Sequence, residues 1–366
     1  MTKEHQAIPC PDCNREKYFE GLCFWCKNRK ERERYQAMTD KEVVSSITNI
    51  INKIETIKEW KDVYKDFCNL LAYKDIDTTE IAEAAFKKEI FYPHTIYRNV
   101  SVNVRDKLIE MLLQPDCEEA SNILMCLALC GDDKVKDIFF KLEKNPLPWR
   151  KNLFVDLSIY AESGGWTFDE QGEKSDVIYQ ECYSLQKSNR HDNTVKAGTI
   201  LKDKCPICDC NLIDILTIDG NDEHLAFLQL KGKVHIPICP NCASMCEKTI
   251  IRYAPDGNST MEIIEAYSDE NYLSEKELNK LVSNKLTLSK TQKPIFYACG
   301  IEETCTIGGH AEWIQDWQYE TCPECEKKMK LLSSISWNEL IDGSDGSLYI
   351  EICTDCHIII IFHQQT

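Results

Sequence analysis

Twelve of the chain's 21 cysteines fall into six Cys-x-x-Cys pairs: Cys10/Cys13, Cys23/Cys26, Cys205/Cys208, Cys239/Cys242, Cys322/Cys325 and Cys353/Cys356. Chance placement at this cysteine frequency would give about one such pair. A Cys-x-x-Cys turn aims two thiolates at one point, and two turns complete a tetrahedron around a soft divalent ion. The pairs sort by proximity into three sets of four: Cys10, Cys13, Cys23, Cys26; Cys205, Cys208, Cys239, Cys242; and Cys322, Cys325, Cys353, Cys356. Spacers of 9, 30 and 27 residues separate the knuckles. The short spacer suits a compact finger and the long ones suit ribbons whose spacers carry strands. Three structural Zn2+ ions are therefore expected. Four thiolates leave no position for water or substrate, so the metals should hold folds rather than perform chemistry. Redox catalysis would need only one pair on a thioredoxin-like unit, and a disulfide framework does not suit a reduced compartment.

Of the other cysteines, Cys126 and Cys130 sit on an apolar helical face and read as small hydrophobes. Cys210 and Cys246 lie just beyond knuckles and could exchange with a ligand. Catalytic signatures are missing: there is no H-E-x-x-H, Walker loop, G-x-G-x-x-G or G-x-S-x-G. A nucleophile built from His310 and Cys305 lacks an orienting third group, and His357 could at most support the metal bound by Cys356. The chain is expected not to be an enzyme.

The elements that must carry these groups follow from periodicity. Residues 1–38 read as a zinc finger, with Tyr18, Phe19, Phe24 and Trp25 as its core, followed by the basic helical run 27–35. Within that run Glu33 can pair with Arg29 at i,i+4 spacing. A capping box at 39–42 opens a helix with Val43, Ile47, Ile50, Ile54 and Ile57 on one stripe. Helical periodicity continues through residues 39–190, with stops at Gly131, at 145–149 and at 163–165. Leu153 and Phe154 begin its last helix. Helices of this length with short breaks resemble a HEAT-like array; no strict repeat motif is visible, and a plain irregular helical domain is the alternative. The polar stretch 187–202 reads as a linker. Beyond it, Leu212–Ile218, Leu225–Leu230, Val234–Cys239 and Met261–Tyr267 read as strands, Ser274 opens a short helix, and His357–His363 reads as a buried final strand. The order of knuckle, strand, turn, strand and knuckle occurs twice, so residues 191–366 read as a pseudo-duplicated zinc-ribbon domain. The fold class is α+β.

The 366 residues carry a formal net charge of −17. That argues against general nucleic-acid coating and is compatible with a basic protein partner. No apolar run approaches the ~20 residues of a membrane span, and the N-terminus has no signal-peptide core. A cytoplasmic location is expected.

The residues Ile307, Gly308, Gly309, Trp313, Ile314, Gln315, Cys322, Cys325, Met329, Asp345, Gly346, Tyr349, Cys353 and Cys356 form a pattern that resembles the bacterial YwqG-like family, a domain of unknown function. The resemblance covers residues 200–366. Proteins of this kind recur among immunity proteins of polymorphic and Rhs-type toxins. The resemblance therefore implies an immunity protein that binds a cognate toxin domain and occludes its active site or target surface. The alternative from the residues alone is a zinc-ribbon nucleic-acid adaptor, resting on the basic run at 27–35. Trp313 reads as packing between the two ribbons, with ligand stacking as the other use.

Overall fold

The computed structural model describes residues 7–188, 194–283, 285–301, 305–340 and 344–366. A two-stranded hairpin, β1 (Ile8–Pro9) and β2 (Glu16–Lys17), leads into α1 (Phe24–Ala37). Seven further helices follow: α2 (Asp40–Asn52), α3 (Asp62–Lys74), α4 (Thr79–Phe86), α5 (Val102–Leu112), α6 (Ala120–Cys130), α7 (Asp133–Lys144) and α8 (Leu157–Glu162). The capping box is formed, with the Thr39 amide donating to Glu42 Oε2 at 2.8 Å and the Glu42 amide to Thr39 Oγ1 at 3.4 Å. The apolar stripe does not run through one helix. α2 stops at Asn52, and a 3-10 turn over Ile54–Glu59 continues the buried line of Ile50, Ile54 and Ile57. Gly131 ends α6 in the left-handed conformation at φ 56°. Leu153 and Phe154 precede the last helix instead of starting it, and the Phe154 ring is wholly exposed. Phe67, Leu70, Leu108, Leu124, Leu127 and Phe139 form the helical core.

Helix ends at Glu162, so the expected helical run to 190 is too long; the boundary at 190 itself lies outside the described residues. A hairpin of β3 (Trp166–Phe168) and β4 (Lys174–Asp176) closes the helical layer. Trp166 Nε1 donates to Ala128 O at 2.8 Å, and Gly164 lies so close that a Cβ there would meet Ala128 O at 1.9 Å. Gly164→Ala should therefore cost about 2 kcal/mol by overpacking, measured as a lower denaturant midpoint.

The remaining strands are β5 (Cys182–Lys187), β6 (Val195–Lys204), β7 (Asn211–Asp219), β8 (Lys233–Ile238), β9 (Cys246–Tyr253), β10 (Ser259–Ala266), β11 (Leu286–Lys293), β12 (Cys305–Gly308), β13 (Lys330–Ser336), β14 (Ser347–Cys353) and β15 (Ile358–Gln364). Two short helices, α9 (Glu275–Ser283) and α10 (Trp337–Leu340), interrupt them. All eleven strands join one antiparallel sheet in the order β10-β9-β15-β14-β13-β12-β5-β11-β6-β7-β8. The sheet rolls until its two edge strands meet, and Ser259 Oγ in β10 donates to His235 O in β8 at 2.7 Å. Rolling covers edges that would otherwise stay unpaired. Ile359 and Ile361 face one core with Ile350 and Ile352, while Ile358, Ile360 and Phe362 face another with Tyr349. Period-2 alternation between two apolar surfaces explains why β15 reads as an unbroken hydrophobic run.

Two expectations fail here. The stretch taken as a linker contains β6, with Val195 and Ala197 buried. Leu225–Leu230 is not a strand: Asp222 Oδ1 accepts from the His224 amide at 2.9 Å and opens a 3-10 turn over Glu223–Leu228. Residues 295–301 return from the sheet to the helices, where Phe296 and Tyr297 enter the helical core. Asn69 Oδ1 accepts from the Ile301 amide at 2.9 Å and Asn28 donates to Ile301 O at 3.3 Å. No helix among the described residues is long and apolar enough to cross a membrane.

Candidate metal centres

The same local turn builds the first knuckle of each set. The amide of the first cysteine donates to the carbonyl five residues on: Cys10 to Arg15, Cys205 to Cys210 and Cys322 to Lys327, each at 2.8 Å. The residue after the second cysteine is left-handed in every case: Asn14 at φ 58°, Asp209 at 59° and Glu326 at 59°. This turn directs both sulfurs to one side. The second knuckles differ. Cys23 and Cys26 form the first turn of α1, Cys239 and Cys242 cap the end of β8, and Cys353 and Cys356 bridge β14 to β15.

Within each set of four the sulfurs all lie within 4.8 Å of one another. Cys13–Cys23 is 3.5 Å, Cys205–Cys242 3.7 Å, Cys208–Cys239 3.5 Å, Cys208–Cys242 3.6 Å and Cys325–Cys353 3.7 Å. A tetrahedral ion with metal–sulfur bonds of about 2.3 Å sets its sulfurs about 3.8 Å apart, whereas a disulfide needs about 2.05 Å. The arrangement thus fits metal thiolates, and each set could hold one ion. The second set is wholly buried; in the first only Cys13 is exposed, and in the third Cys322 is buried and the rest are half-buried. Cys210 and Cys246 stand outside the sulfur clusters. Cys210 Sγ lies 3.6 Å from Asn211 O and Cys246 Sγ 3.9 Å from Thr249 Oγ1.

The electrostatics ask for a cation. Burial opposes ionisation of Cys10, but amide hydrogen bonds from Cys23, Asp12 and Cys13 outweigh it and bring the thiol down to about 6. Cys208 and Cys322 are lowered in the same balance, burial opposing and the knuckle amides and neighbouring thiols prevailing. Their companions move the other way. Burial, with the adjacent sulfurs, pushes Cys242 and Cys356 up to about 12 and Cys353 up to about 11. Four thiolates so close cannot all ionise unless a positive ion compensates them.

The first module does not have the aromatic core expected of it. Tyr18, Phe19 and Phe24 are exposed, and Cys10, Cys23, Cys26, Leu22 and Trp25 form its interior. Arg29 makes the expected contact with Glu33 at 3.8 Å, but its nearer partner is Asp12 at 2.5 Å. Cys305 and His310 do not form a pair. Cys305 belongs to the core of the rolled sheet, whereas the His310 ring stacks on Phe296 at 4.2 Å. His357 turns the third knuckle at φ 56° with its ring 5.2 Å from Tyr253. Trp313 stacks on Tyr349 at 4.4 Å and packs near Phe362 and Tyr319, so its contacts lie within the C-terminal half rather than between the two knuckle-bearing hairpins.

Sequence reasoning also missed Asp214, buried on β7 and 2.7 Å from His235 Nδ1 on β8. Their cross-strand proximity comes from the β7–β8 register, which has an irregularity beside Asp214. The spacing of 21 residues carries no local signal.

No protein-family model matches the chain, and no solved structure matches it. It is similar to an uncharacterized protein, YpfL, from Salmonella typhimurium, with 27% identity over 269 residues covering 72% of this chain and 63% of the relative. The chain thus spans less than two thirds of the length of the curated relative it matches.

Proposed function

We propose that the protein is a zinc-stapled scaffold that works by binding another protein, and that it is an immunity protein which occludes a cognate toxin domain. The observation that carries the reading is closure of the three four-cysteine clusters, each with its sulfurs within 4.8 Å. Zn2+ is the ion such sets favour, and four thiolates saturate its tetrahedron, which gives the metal a folding role. We read the two knuckle pairs of the sheet as a duplicated zinc ribbon and the helices as a HEAT-like array. Occlusion needs area and complementary charge rather than a reacting group, and a net charge of −17 favours rapid association with a basic partner. The toxin itself is inferred from the resemblance of residues 200–366 to YwqG-like proteins.

The test is co-expression with the toxin encoded beside the gene. Restored growth, with the two proteins co-purifying in equal amounts, is the expected result. Toxicity that persists at high levels of the folded, zinc-loaded protein overturns the reading.

One observation favours the nucleic-acid alternative: Arg15, Arg29 and Arg32 line one pocket between the first module and β5. Its cations are already engaged in part, Arg29 with Asp12 and Arg15 over Trp25 at 4.2 Å. Binding to mixed RNA at low salt that weakens steeply as salt rises would support this alternative.

A further inference from the structure

An open groove of about 600 Å³ runs between the helices and the segment that follows β12. Its walls are aromatic. Trp60 lies 4.9 Å from Tyr64 and 5.1 Å from Tyr92, and the Tyr64 and Tyr92 rings are stacked at 6.2 Å. Trp313 and Trp317 line the groove from the sheet side and are held from behind. Trp313 stacks on Tyr349, and Trp317 Nε1 donates to Ile159 O at 2.9 Å.

Trp60 is the unusual member. It is 66% exposed, a poor use of a large apolar ring if packing were its purpose. Its backbone is left-handed at φ 58°, where it ends the 3-10 turn over Ile54–Glu59.

One carboxylate faces this aromatic surface. Glu312 lines the groove and remains exposed to it. Protein packed around the carboxyl raises it, and a hydrogen bond with Cys299 only partly offsets that effect. No lysine or arginine among the described residues pairs with it. Lys65, the cation on the groove wall, is held by Glu31 at 2.8 Å. His94 and His310 also line the groove, and burial lowers both, so they stay neutral near pH 7. An aromatic surface with one unneutralised carboxylate complements an organic cation: the ring faces attract positive charge and the carboxylate anchors it.

We infer that this groove is a binding site for a guanidinium group, the arginine side chain of a protein partner, with Glu312 as its anion and Trp60, Tyr64 and Tyr92 as its stacking surface. Guanidinium is preferred to ammonium because it is planar, weakly hydrated and stacks on rings while donating two parallel hydrogen bonds to a carboxylate. The partner's being a protein rests on the reading above; the chemistry of the groove does not.

The test titrates full-length, zinc-loaded protein with N-acetyl-arginine amide and with N-acetyl-citrulline amide, its uncharged isostere, following tryptophan fluorescence and the indole N–H resonances. Arginine amide should bind saturably and at least about tenfold more tightly than citrulline amide. Glu312→Gln should abolish that preference. Trp60→Ala should weaken arginine binding several-fold, with zinc content and thermal midpoint unchanged. Equal responses to the two amides, no saturable response to either, or arginine binding indifferent to Glu312→Gln would each overturn the inference. The two proposals fail separately. Protection from the toxin with no arginine binding removes only the groove, and arginine binding with no protection removes only the toxin.

Discussion

Cys239→Ser should unfold the β region, whereas Cys10→Ser should release little more than the first hairpin. Each ion held by four cysteines contributes on the order of 10 kcal/mol to the structure it closes, comparable with the whole stability of a domain at about 5–15 kcal/mol. The difference between the two variants lies in what each cluster ties together. The second cluster joins the turn between β6 and β7 to the end of β8, close to where the rolled sheet brings its edges together. Its loss frees that edge as well as removing an ion. The first cluster joins only the β1–β2 hairpin to the start of α1, and α1 keeps an anchor of its own, with Tyr35 buried in the helical core and donating to Asp66. Elemental analysis should find three zinc ions per wild-type chain, one for each cluster, and fewer in either variant. Near-ultraviolet circular dichroism should separate the variants, close to native for Cys10→Ser and strongly reduced, with the helical-core aromatics remaining, for Cys239→Ser. A Cys239→Ser protein with the wild-type unfolding midpoint would show that the second cluster does not hold the sheet. Acidification should mimic chelation, because protons compete with the metal for the same thiolates.

The metal sets were legible because a Cys-x-x-Cys knuckle is a local object. Its amides and sulfurs lie within a few residues of one another, so spacing alone predicts the geometry. What the knuckles connect was less legible. β6 looked like a linker because the residues it buries, Val195 and Ala197, are small and sit among lysines. Leu225, Leu228 and Leu230 looked like a strand because apolar density was taken for period 2, whereas the Asp222 cap starts a 3-10 turn, and all three leucines are buried. In the first module the aromatic residues were assigned to a core that so short a segment cannot build; a thiolate cluster takes its place. The groove was out of reach for another reason. Trp60 and Glu312 lie far apart in sequence, and no local pattern records that residues 295–301 carry the chain back to the helices before β12 returns it to the sheet.

Glu162 should make the protein less stable as pH rises from 5 to 8, and Glu162→Gln should remove that slope. The side chain is 2% exposed at the end of α8. Burial raises its carboxyl to about 7, although Lys328 Nζ stands 3.0 Å away and pulls in the opposite direction. The same ammonium also donates to Tyr319 O at 2.7 Å, and burial of the carboxyl outweighs its pull. Glu351 also faces this site; burial holds it well above the carboxylate range, so it stays neutral and adds no second negative charge. Below the unfolded value of 4.5 both states carry the proton and Glu162 contributes nothing to the pH dependence. Between 4.5 and about 7 the unfolded chain releases the proton while the folded chain keeps it, so the unfolded state gains. Above about 7 the loss is complete, and the shift from 4.5 to about 7 corresponds to about 3 kcal/mol. Urea unfolding of the wild type and Glu162→Gln across pH 5 to 8 isolates the term, because thiol and histidine titrations are common to both proteins and cancel in the difference. The variant should gain on the wild type steadily as pH rises from 5 to about 7 and lead by its full margin at pH 8. A difference that stays constant across the range would mean that Lys328 compensates the carboxylate fully, and that the pair is a settled ion pair rather than an acid held neutral by burial.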